Sequence, residues 1–123
     1  MKRVLIVEDE KHMLATLSDR MRMEEFDVIQ AASGEEAVEK AVSQMPDLIL
    51  LDILMPQMDG LAVLKKVRAE GSWGRSVPVV ILTNLVPDDE VLAKISDYKP
   101  TYYFVKTDID IDEVVEKAKE LIK

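Results

Sequence analysis

The 123-residue sequence has no cysteine, which removes disulfides, thiolate metal ligands and a cysteine nucleophile together and fits a reducing compartment. It has no run of about 18 consecutive apolar residues, the length a membrane-spanning helix needs. The amino end, Met1-Lys2-Arg3, leads into only four apolar residues, too few for a signal-peptide core. Positive charge is scarce: 16 Lys and Arg stand against 24 Asp and Glu, a formal net charge of -8. That balance argues against a partner held by a phosphate backbone or an anionic membrane, so neither nucleic-acid binding nor membrane insertion is expected. What is present is a 48% hydrophobic, 33% charged chain without repeats, low-complexity tracts or linkers. These features predict one cytoplasmic globular domain over 1–123, with a full core of its own.

Five short apolar segments, at 4–7, 26–31, 48–51, 77–82 and 102–105, read as strands. Several are continuously apolar, as strands buried on both faces are. Between them, Met13, Leu14, Leu17 and Met21 recur at helical spacing over 11–23, and Ala37, Val38, Ala41 and Val42 over 35–43. Ser33-Gly34-Glu35-Glu36 is a capping box opening that second helix. Leu61, Leu64 and Val67 mark a third helix, and Pro87-Asp88-Asp89 starts a short fourth. Asp110 to Glu113 is a second capping box, before a strongly amphipathic last helix over 111–122. Gly71 and Gly74, around Trp73, are read as a break. Strand and helix alternating five times predict an α/β (βα)5 domain, a doubly wound five-stranded parallel sheet, because parallel neighbours need right-handed crossovers.

In such a sheet the ligand site lies at the carboxyl ends of the strands. Glu8 and Asp9 follow the first strand, Asp52 the third, Thr83 the fourth and Lys106 the fifth, while the second ends in small residues, as an edge strand can. Three carboxylates in one pocket disfavour joint ionisation unless a cation joins them. Oxygen ligands suit Mg²⁺, or Mn²⁺, far better than zinc. Lys106 adds an ammonium and Thr83 a hydroxyl donor. A metal ion, an ammonium, a hydroxyl and an unprotonated carboxylate are what phosphoryl transfer requires, since that chemistry is mostly positioning and charge neutralisation. Asp52 stands alone after a buried strand and is the candidate nucleophile, forming an acyl phosphate. Glu8 and Asp9 are the candidate metal ligands.

These residues resemble the receiver domain of two-component response regulators along the whole chain. The resemblance rests on Val4-Leu5-Ile6-Val7-Glu8-Asp9-Glu10, on Asp52-Ile53-Leu54-Met55-Pro56-Gln57-Met58-Asp59-Gly60, on Val79-Val80-Ile81-Leu82-Thr83 and on Tyr103-Phe104-Val105-Lys106. It implies the flavodoxin-like, CheY-like three-layer sandwich with strand order 2-1-3-4-5. It implies that a histidine kinase or a histidine phosphotransfer protein phosphorylates Asp52. Glu8, Asp9, Asp52 and the backbone carbonyl of Leu54 would hold Mg²⁺, and Thr83 and Lys106 would bind the phosphoryl oxygens. Tyr103 matches the family's switch aromatic, which would turn inward with Thr83 and alter a protein-binding surface made of the fourth helix, fifth strand and fifth helix. Beyond its own phosphorylation and dephosphorylation, no enzyme activity is implied.

Pro56 would stiffen the metal-binding loop, Gly60 would permit a turn or close approach at the next helix, and Asp59 would cap that helix. Phe26 and Trp73 read as packing residues, and His12 as a surface residue, with a kinase-docking contact as the alternative. Three departures from the family pattern stand out. Thr107 follows Lys106 where the family usually has proline, so a trans bond is expected. Asn84 is larger than the usual small residue and would narrow access. Leu54 and Leu85 are apolar at positions that tune acyl-phosphate hydrolysis, which predicts slow dephosphorylation. Two rivals remain: a receiver-like module that binds partners without phosphorylation, and a haloacid-dehalogenase-type phosphatase, which wants a carboxylate where Leu54 stands. With no output domain after Lys123, a single-domain regulator is expected.

Overall fold

The computed structural model describes residues 1–55, 58–84 and 88–122. The strands are β1 (Arg3–Val7), β2 (Asp27–Ala31), β3 (Leu48–Leu51), β4 (Val79–Thr83) and β5 (Tyr102–Val105). The helices among the described residues are α1 (Lys11–Met23), α2 (Gly34–Gln44), α3 (Gly60–Arg68), α4 (Gly71–Ser76), α5 (Asp89–Asp97) and α6 (Ile111–Ile122). All strand pairs are parallel and the order is β2-β1-β3-β4-β5, the doubly wound order expected.

Strand side chains alternate between two cores, as the pleat dictates. Leu5, Val7, Ile49, Leu51, Val79 and Ile81 face α2, α3 and α5, where Ala37, Ala41, Val63, Leu64, Val67 and Ile95 meet them. Val4, Ile6, Leu48, Leu50, Val80 and Leu82 face α1 and α6, against Leu17, Met21, Val114, Val115 and Ala118. Burial on both faces explains why β1, β3 and β4 read as unbroken apolar runs. Strand β5 departs from that reading: as an edge strand it is half-buried along its whole length. Val42 is another departure, exposed on α2 although it shares the helical spacing of its inward neighbours.

The helix ends obey the sequence with two adjustments. Ser33 Oγ accepts from the Glu36 amide at 3.2 Å, but the Glu36 carboxylate reaches past the cap to the Ala32 amide at 3.1 Å. Asp59, Asp88 and Asp110 each accept from the amide three residues on, at 2.9–3.0 Å. The larger correction is α4. The segment read as a break is a helix, which makes six helices among the described residues. Trp73 Nε1 donates to the Pro46 carbonyl at 3.0 Å, and Gly74 lies against the Val67 carbonyl where any Cβ would collide. Tertiary contact here overrides the poor helix propensity of two glycines. Strand β4 accordingly begins at Val79, after the end of α4.

Candidate functional site

The backbone ladder runs one residue past three strands and thereby sets the site. The amide of Glu8 donates to Ala31, that of Asp52 to Val7 and that of Lys106 to Thr83, at 2.7–3.0 Å. The first residue beyond each of β1, β3 and β5 is thus held as firmly as a strand residue, with its side chain at the sheet's carboxyl edge. Gly60 fixes the return path. Its amide donates to the Ile53 carbonyl at 3.0 Å, and it lies so close to the Asp52 carbonyl that a Cβ would collide.

Lys106 Nζ donates to Glu8 Oε2 at 2.7 Å and to Asp52 Oδ2 at 3.1 Å. The other Asp52 oxygen, Oδ1, accepts from the Leu54 amide at 3.0 Å, and Glu8 Oε1 accepts from the Glu10 amide at 3.2 Å. Glu8 and Asp52 are buried, at 2% and 4% exposure, whereas Asp9 is exposed. Carboxylate oxygens of Glu8, Asp9 and Asp52 lie within 4.8 Å of one another. One lysine cannot neutralise three carboxylates, and an all-oxygen donor set of this spacing could hold a hard divalent ion such as Mg²⁺.

Electrostatics follow from that crowding. Burial, before any other cause, raises the Glu8 pKa above 4.5, and the neighbouring Asp52 charge adds to the rise against the pull of Lys106. For Lys106, burial acts to lower the pKa, but the hydrogen bonds to Glu8 and Asp52 and their charges outweigh it and hold it above 10.5. Burial, then the Asp52 charge, raises the Tyr103 phenol. The acidic run 8–10 therefore splits by task. Glu8 is buried in the site, Asp9 sits at its mouth, and Glu10 accepts from the amides of His12 and Met13 to cap α1.

Thr83 is fully buried at the end of β4, beside Lys106. Tyr103 is half-buried and packs in the core that includes Ile95 of α5. Leu54 is 50% exposed, Asn84 is exposed at the end of β4, and His12 is exposed on α1. No cis peptide bond occurs among the described residues, so Lys106–Thr107 is trans as expected. Phe26 is buried in the core beneath α1 and α6. The expectations placed on Pro56, Leu85 and Pro87 fall outside the described residues. Sequence reasoning missed Arg68, whose guanidinium bonds only backbone carbonyls and whose role no pattern of residue types announces.

The family model of the response regulator receiver domain matches residues 4–119. The chain belongs to this family. Response regulator ArlR of Staphylococcus aureus is 30% identical over the whole chain, which corresponds to 53% of ArlR. The chain spans about half the length, or less, of such curated relatives. Response regulator TrrA of Thermotoga maritima, solved in complex with Mg²⁺-BeF, is 32% identical with a TM-score of 0.82, covering 98% of this chain and 99% of that one. A receiver domain of a Pseudomonas aeruginosa sensor histidine kinase, solved with magnesium in its active-site cleft, is 26% identical with a TM-score of 0.85 over 98% and 97% of the two chains. The receiver assignment makes this chain a signalling module of the two-component type. No described helix is long and apolar enough to cross a membrane.

Proposed function

We propose that this receiver, acting as one unit over 1–123, takes a phosphoryl group on Asp52 from a phosphohistidine of a histidine kinase or histidine phosphotransfer protein. The observation that carries the reading is the buried Asp52 carboxylate, bonded to Lys106 and ringed by Glu8 and Asp9. An Asp52 oxygen forms the new P–O bond as the donor's P–N bond breaks, so the phosphoryl group passes to the carboxylate and the histidine leaves. Mg²⁺ held by Glu8, Asp9, Asp52 and the Leu54 carbonyl would neutralise charge on the phosphoryl oxygens. Lys106 exchanges a carboxylate partner for a phosphoryl oxygen, and Thr83 donates its hydroxyl to another. Tyr103 then shifts with Thr83, and the surface of α5, β5 and α6 changes its affinity for a downstream protein. The setting is the cytoplasm, where no direct contact with nucleic acid or insertion in a membrane is needed.

Incubation with Mg²⁺ and acetyl phosphate, read by intact mass, tests the acceptor. A single phosphoryl gain in the parent and none in Asp52→Asn is the expected result. No gain in the parent, together with no binding of beryllofluoride, would replace this reading by a module that binds its partner without phosphorylation.

A further inference from the structure

Arg68, the last residue of α3, makes four side-chain bonds. Its Nε donates to the Tyr98 carbonyl at 2.8 Å, Nη1 to the carbonyls of Gly74 at 2.9 Å and Val77 at 2.6 Å, and Nη2 to that of Lys99 at 2.9 Å. One planar guanidinium thus ties together α4, the entry to β4 and the corner between α5 and β5. Every one of these partners is a neutral carbonyl. Such an arrangement depends on the rigid fork of donors rather than on charge, and a lysine cannot reproduce it.

The corner it holds is strained, and besides Arg68 it is fastened by the Tyr98 side chain against the core and by the amides of Tyr98 and Lys99, which donate to the carbonyls of Ile95 at 3.0 Å and Ser96 at 3.1 Å. Lys99 has a φ of +50°, in the left-handed region that a residue with a Cβ disfavours. Helix α5, just before it, buries only Ile95 completely. Strand β5, just after it, is an edge strand paired only with β4, and the Thr101 amide bonds the Val79 carbonyl at 2.8 Å at its start. Four strand residues later the chain delivers Lys106 to Glu8 and Asp52, with Tyr103 on the way.

We propose that Arg68 is a positioning residue: its guanidinium locks the α5–β5 corner at Lys99 and, through β5, sets where Tyr103 and Lys106 stand at the Asp52 site. The lock stands independently, whereas its effect on the site rests on the phosphoryl-acceptor reading above.

Amide hydrogen exchange on the full chain tests the lock in the parent, in Arg68→Lys, in Lys99→Gly and in the double variant. In Arg68→Lys the amides of Tyr98, Lys99 and Thr101 should exchange about tenfold faster while those of Leu5 and Ile49 in the central strands hold their rates. Adding Lys99→Gly should restore protection, because glycine adopts a positive φ without strain. Uniform acceleration along the chain, or none at the corner, overturns the lock. Should Arg68→Lys fail to fold, Lys99→Gly alone decides: slower exchange at the corner supports a strain held by Arg68, and unchanged or faster exchange overturns it. The effect on the site is read by titrating beryllofluoride with Mg²⁺ present. The half-saturating concentration should rise about threefold or more in Arg68→Lys and recover in the double variant. An unchanged value with a loosened corner overturns the transmission to the site. A parent that binds no beryllofluoride overturns the acceptor reading and the transmission with it, and leaves the exchange rates to judge the lock by themselves.

Discussion

Glu8 sits buried against Asp52 with one ammonium between them, and its carboxyl therefore takes a proton at a higher pH than a free glutamate. In the metal-free protein the folded state binds this proton over a window opening at 4.5 and extending upward, where the unfolded chain has lost it. Stability should accordingly fall as pH rises through that window, because the folded state is the one that must give up a proton. Lys106 acts at the other end: its contribution is complete below 10.5 and is lost as pH rises through its raised folded value. Since a metal needs the ionised carboxylate, Mg²⁺ affinity measured by calorimetry should decline on acidification before an ordinary glutamate would begin to titrate. Glu8→Gln should weaken binding at every pH and flatten that decline. Leu54 is half-exposed beside Asp52, to which its amide donates. A polar residue there should admit water and quicken loss of the phosphoryl group, followed as the decay of the phosphorylated mass; an unchanged decay would sink the shielding idea. Glu8, Asp52 and Lys106 were legible in the sequence because each is the first residue beyond a strand, where the backbone ladder still holds it, and Asp9 because it follows Glu8 directly.

Helix α3 begins at the point of closest approach to the Asp52 backbone, so its first residue governs both packing and site. Gly60→Ala should cost on the order of 2 kcal/mol in denaturant unfolding, as overpacking of a tight contact does, and should also weaken Mg²⁺ binding by displacing Asp52. Ser33→Ala, which only removes the cap of α2, should cost about 1 kcal/mol and leave Mg²⁺ binding unchanged. The contrast separates a helix that builds the site from one that merely covers the sheet. Caps were readable because Ser33, Asp59, Asp88 and Asp110 act on amides three residues away, well within the reach of local pattern. Helix α4 was not, because what holds it is the Trp73 bond to Pro46, a partner distant in sequence, and the bonds of Arg68 to backbone carbonyls, which no pattern of residue types announces. The half-burial of β5 escaped for a related reason: aromatic residues suit a buried strand and an edge equally well.

The molecule as a whole joins a two-sided core to a rim of charge concentrated on one edge of the sheet, and ligand binding at that rim should stabilise the entire fold by mass action. Mg²⁺ at about 100 times its dissociation constant should add roughly 2.7 kcal/mol to unfolding and raise the melting temperature, an effect that should shrink in Glu8→Gln at the same Mg²⁺ concentration. The parallel (βα)5 architecture was legible because apolar segments and helical patterns alternate, whereas the order β2-β1-β3-β4-β5 was implied by the receiver-like motifs. Trp73, the only tryptophan, lies at the other edge from this chemistry: it bonds Pro46, which enters β3, while Asp52 leaves it, roughly 20 Å of extended chain away. Its indole fluorescence is therefore an internal gauge of unfolding that stays dark to events in the acidic pocket, so emission and calorimetry give two independent readings from one unlabelled sample.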